Sequence, residues 1–113
     1  MNLFKEDPLI GSWLSETIEE DGNLERVRLD FAKDGELVYT IICPEKIQKI
    51  FLIYWIKDGF LYTDQPSSPK EEKTAYILEQ NGERLTLIYE NDSPMHFTKL
   101  YYPRELGVRG STR

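Results

Sequence analysis

His96 is the only histidine and Cys43 the only cysteine in this chain, so the residues able to do chemistry are few. A lone histidine can serve as a general base or as a metal or haem ligand. His96 follows Met95 on a candidate strand, a setting that suits a surface or core side chain better; a barrel enzyme would have to pair it with Asp64 or Glu90. Cys43 stands before Pro44 at a strand end with no basic neighbour to lower its pKa, and reads as a structural thiol. One histidine excludes a multi-His metal site, and one cysteine excludes an internal disulfide framework. Glu71 and Glu72, flanked by Lys70 and Lys73, could accept a metal but lack the converging oxygens of a hard-cation site and read as a solvated loop, and residues 19–23 have the composition of a calcium loop without its spacing or terminal glutamate. No nucleophile elbow, Gly-rich phosphate loop or Cys-x-x-Cys is present. We therefore expect no catalytic residues, no metal, no cofactor and no enzyme activity.

The aromatic residues are more informative. There are two Trp, seven Tyr and five Phe. Such side chains bury large areas at low entropic cost, and a tyrosine hydroxyl can orient a polar ligand group. Tyr39, Tyr54, Tyr76 and Tyr89 fall on faces otherwise made of Leu and Ile. They suit two interiors: a ligand cavity lined by tyrosines, or a filled core whose hydroxyls reach backbone or solvent at its ends.

The elements that must carry these residues are strands. Residues 9–17, 25–31, 36–43, 47–56, 60–63, 74–80, 84–90 and 95–102 alternate with period two and are rich in β-branched and aromatic side chains. Turn residues separate them: 19–23, 33–35, Pro44-Glu45, Asp58-Gly59, the long 65–72 loop, Asn81-Gly82 and 91–94. Only residues 70–73 and those before Pro8 leave room for a short helix. Asp34-Gly35, Asp58-Gly59 and Asn81-Gly82 recur at a nearly constant interval, each followed by a leucine: Leu37, Leu61 and Leu85. Short turns at that spacing give an antiparallel meander, and Asn81-Gly82 is the strongest hairpin signal. About eight strands laid flat would leave two edges open. Closure removes them, so the expected fold is an all-β, up-and-down barrel, complete or partly open.

Both faces of residues 50–56 are apolar. A two-residue turn at Asp58-Gly59 pairs Lys57 with Phe60, a three-residue turn pairs Ile56 with Phe60, and the difference of one residue inverts every side chain. Either way one face needs cover other than water. Phe51, Ile53 and Trp55 are the candidates for an outer patch met by another subunit, as in a homodimer.

With 113 residues, one domain over 1–103 and a basic tail over 104–113 account for the chain. The net charge of −6 argues against nucleic acid as a partner. The first eight residues lack the apolar run of a secretory signal, and no run is long enough to span a membrane, so a cytoplasmic location is expected.

Gly11-Ser12-Trp13 on the first strand of such a meander resembles the lipocalins and their calycin relatives, and most of all small bacterial lipocalin-like domains. Tyr54-x-Ile56-x-Asp58-Gly59-x-Leu61 and Tyr76-x-Leu78-x-x-Asn81-Gly82 are similar to their recurring patterns. In that family the glycine permits close approach, the tryptophan plugs one end of the barrel, and an arginine near the last strand packs over it. Lys99 and Arg104 are the nearby cations here, neither an obvious match. The resemblance implies non-covalent binding of a small apolar or amphipathic ligand inside the barrel, with Trp13, Tyr39, Tyr54, Tyr76, Leu87 and Tyr89 as the ligand-binding residues. The alternative is a protein-interaction or homo-oligomer assembly module with a filled interior, docking through Phe51, Ile53 and Trp55.

Overall fold

Val27, Leu29 and Phe31 alternate with Arg26, Arg28 and Asp30, and a ribbon with that pattern must lay one face on a core. The structure, a computed structural model, describes residues 8–20, 22–90 and 92–101, and alternation of this kind recurs among their strands. Nine strands follow in chain order: β1 (Gly11–Ser15), β2 (Ile18–Glu20), β3 (Asn23–Phe31), β4 (Glu36–Ile42), β5 (Ile47–Lys57), β6 (Phe60–Asp64), β7 (Glu72–Glu79), β8 (Arg84–Ile88) and β9 (Met95–Leu100). Neighbours from β3 to β9 pair antiparallel in sequence order. β1 then pairs with β9 on one side and with β3 on the other, which closes the ring. The result is an all-β, eight-stave, up-and-down barrel.

β1 and β2 together make one stave with an interruption. Leu14 lies opposite Arg28, but Ile18 lies opposite Glu25, so the β1–β2 side carries one extra residue, as in a β-bulge. Ser15 occupies the break. Its buried hydroxyl accepts the Val27 amide at 2.9 Å and donates to the Glu16 carbonyl at 2.9 Å, replacing ladder bonds lost there. Beyond the break, β2 pairs with β3 and the ladder to β9 ends. Sequence pattern suggested a continuous strand followed by a turn over residues 19–23. Instead Glu19 and Glu20 extend the hairpin, and Gly22 supplies the left-handed turn residue (φ 79°). No helix forms at residues 70–73, where Glu72 and Lys73 begin β7. The proposed helix before Pro8 and the tail over 104–113 lie outside the described residues.

Register on β5 is settled by its turn. Lys57 pairs with Phe60 across a two-residue turn in which Asp58 (φ 52°) and Gly59 (φ 81°) are both left-handed, the geometry that matches strand twist. Ile50, Leu52, Tyr54 and Ile56 therefore share the inner face with Leu37, Tyr39 and Leu61. Phe51, Ile53 and Trp55 face outward. The Asn81-Gly82 turn is longer than its dipeptide suggests: Glu79 pairs with Arg84, leaving four residues in the loop.

The β3–β4, β5–β6 and β7–β8 turns all gather at one end of the barrel. The leucines that follow them, Leu37, Leu61 and Leu85, are all buried. With Leu9, Trp13, Leu29, Phe31 and Phe97 they fill this end as a floor. Trp13 is fully buried and its indole N–H donates to the Leu9 carbonyl at 3.0 Å, so its one polar atom is satisfied. Lys99, the cross-strand partner of Trp13, holds its ammonium 5.2 Å from the indole centroid and donates to the Ile10 carbonyl at 3.1 Å. Gly11 permits this packing: a Cβ there would come within 3.1 Å of the Lys99 side chain, and its φ of +129° disfavours any other residue.

In urea unfolding, Trp13→Ala is expected to cost ~3–5 kcal/mol. Gly11→Ala should cost more than Gly59→Ala. Both sites have positive φ, but only Gly11 has a neighbour that must move.

Candidate functional site

Above the floor the interior is not filled. At the opposite end lie the β2–β3 hairpin and the longer β4–β5, β6–β7 and β8–β9 connections, and between them is a cavity of about 910 Å³ that opens at the barrel mouth. Its wall carries apolar side chains from four strands, Val27, Ile41, Ile50, Leu52 and Met95, interspersed with Ser15, Thr63 and His96. Its rim is polar and includes Glu16, Thr17, Gln65, Lys70, Asp92 and Ser93. The bulge at Glu16 and Thr17 helps to form this mouth, because β2 leans on β3 alone while residues 92–94 stand across the gap.

Tyr39 and Tyr89 both line the cavity. Tyr39 is inward because its cross-strand partners Leu29 and Ile50 are inward. Burial raises its phenol pKa above the usual 10.0, and the carboxylates of Glu25 and Glu72 raise it further. Tyr89 is also pushed well upward, first by burial and then by Tyr39, Glu72 and Asp92. Two neutral phenols thus sit in one electrostatic neighbourhood with three carboxylates. Each can donate and accept a hydrogen bond throughout the physiological range.

The other four proposed ligand-binding residues and the outer-patch residues lie elsewhere. Trp13 and Leu87 are buried in the core, Trp13 within the floor. Tyr54 packs edge-on against Phe31, with centroids 4.9 Å apart, and donates its hydroxyl to the Ala32 carbonyl at 2.8 Å. Tyr76 is half-buried against the same cluster. Of the six, Tyr39 and Tyr89 are the two on the cavity wall. Phe51, Ile53 and Trp55 are exposed on the outer face, where Trp55 stacks on Tyr62 at 5.5 Å. His96 also lines the cavity; it lies opposite Thr86 on β8, and its Nδ1 shares a 2.9 Å hydrogen bond with the Thr86 hydroxyl. Asp64 accepts the Lys70 amide at 2.9 Å.

Glu25 and Glu72 were not singled out as site residues. Glu25 precedes Val27 by two on β3, and Glu72 pairs with inward Thr63, so parity turns both toward the interior. Glu25 carried a signal, a charge at an inward strand position where a fully packed core would place an apolar residue, whereas Glu72 falls in the expected 65–72 loop and only the early start of β7 turns it inward. Compared with known proteins, the chain matches no family model, no curated protein and no solved structure.

Because the folded state holds Tyr39 and Tyr89 neutral beyond the unfolded value of 10.0, stability is intact below that pH and falls as pH rises above it. Ultraviolet titration of the native protein should show a late phase, Tyr39 and Tyr89 ionising above the usual tyrosine range. The variant carrying Tyr39→Phe and Tyr89→Phe should lose the late phase and much of the alkaline loss of stability.

Proposed function

We propose that this protein is a lipocalin-like binding protein that holds one small apolar or amphipathic ligand in the mouth half of its barrel. The cavity carries the reading: about 910 Å³ is within the range of sites that enclose a small molecule. An apolar wall with two phenols supplies desolvation for the ligand's body and hydrogen bonds for one polar group. The barrel order and the position of Trp13 under Lys99 accord with the lipocalin resemblance of Gly11-Ser12-Trp13. The chain's role is to strip water from the ligand and orient it, with no covalent step.

The neutral fluorescent probe 1-N-phenylnaphthylamine is expected to bind one molecule per barrel, with enhanced emission. Ile50→Trp places bulk in the cavity wall and should weaken that binding at least about tenfold while the protein stays folded. Equal binding by the variant would remove the cavity as the site.

A second reading rests on the outer face. Phe51 is 64% exposed, and Ile47, Ile53, Trp55, Ile77 and Ile88 add to the apolar surface of β5, β7 and β8. Self-association through this face would cover it. Trp55→Glu should then lower the sedimentation coefficient without changing the circular dichroism. An unchanged coefficient would sink the docking idea.

A further inference from the structure

We propose that the cavity selects an amphiphile with a positively charged head, such as an alkyl ammonium, over a fatty acid; this rests on the ligand-binding reading above. Four carboxylates line the cavity, from Glu16, Glu25, Glu72 and Asp92, against two basic side chains, Lys70 and His96, the latter hydrogen-bonded to Thr86. Two of the four have cations nearby. Lys70 lies 3.4 Å from Glu72, in an exposed pair that solvent weakens, and Arg84 approaches Glu16 only to 4.0 Å. No ion pair among the described residues reaches Glu25 or Asp92. The partner of Glu25 is the Cys43 thiol, at 3.7 Å.

Glu25 and Glu72 act on the same place, since both disfavour negative charge on Tyr39. A carboxylate head brought beside Tyr39 and Tyr89 would meet that same repulsion. A cation there would meet carboxylates and phenol rings, and both attract positive charge. Partial enclosure strengthens the discrimination, because the apolar wall lowers the local dielectric. Among the described residues, no three His, Cys, Asp or Glu side chains converge as metal ligands do. The cation that fits is therefore an organic one, whose tail fills the apolar wall. The net charge of −6 draws such molecules toward the protein from a distance.

The test displaces 1-N-phenylnaphthylamine with dodecyltrimethylammonium, dodecanol or dodecanoate, each below its micelle threshold. The expected order is ammonium, then alcohol, then carboxylate, with about tenfold between the first and last. In the double variant Glu25→Gln, Glu72→Gln, the ammonium should lose most of its advantage while dodecanol binds as before, which also reports an intact cavity. Added salt should narrow the gap in the unmodified protein. Equal or tighter binding of dodecanoate overturns the charge preference and leaves the ligand-binding reading standing. An ammonium preference that survives in the double variant overturns the assignment to these glutamates. Displacement by none of the three overturns both readings.

Discussion

Gly11–Ser15 is paired on both edges, to Phe31–Arg28 on one side and to Leu100–Phe97 on the other. Among the described residues no other strand pairs with both β3 and β9. Without that five-residue stave, β3 and β9 would present open edges, and the inner faces of seven strands would lose the enclosure that buries them. Trp13 sits at the middle of the stave and turns closure into packing. Its indole fills the floor, its N–H is satisfied by the Leu9 carbonyl, and Lys99 from β9 covers its ring. Gly11 lets Lys99 approach. One short segment thus joins the ends of the chain's sheet and anchors its core.

The two ends of the barrel are built for different work. Three glycine turns draw Leu37, Leu61 and Leu85 inward at the floor, where burial of large side chains supplies most of the stability. The other end has a bulge, a strand that leaves its neighbour, and the longer connections. Its inward side chains grow more polar toward the rim, from Leu52 and Ile50 through Tyr39 to Glu25 and Glu72. Glu25 and Glu72 stand at inward positions beside this unfilled space, Glu25 against the Cys43 thiol and Glu72 against Lys70.

Strand positions were legible to within a few residues because period-two alternation with turn residues is a local signal, and the meander follows from short connections. The break after Ser15 was not legible: Glu16 and Thr17 read equally well as strand, and the shift appears only when Leu14 and Ile18 are matched to their partners on β3. Lys99 as the cover of Trp13 was also hidden. The two residues are 86 positions apart, and a lysine stands where the family resemblance leads one to look for an arginine. The four inner tyrosines looked equivalent in pattern, yet Tyr39 and Tyr89 reach the cavity while Tyr54 spends its hydroxyl on Ala32 near the floor.

The amino-acid order by itself determined an all-β meander of about eight strands, the sites of its turns, and the set of side chains available for a core. It did so because alternation, β-branching and left-handed glycines act over a few residues. Tertiary structure alone decided which apolar face of residues 50–56 points inward, how far up the barrel the core extends, and that an open cavity remains above it. Those depend on register and closure, where one residue of slip inverts a strand and the position along a stave decides between floor and mouth.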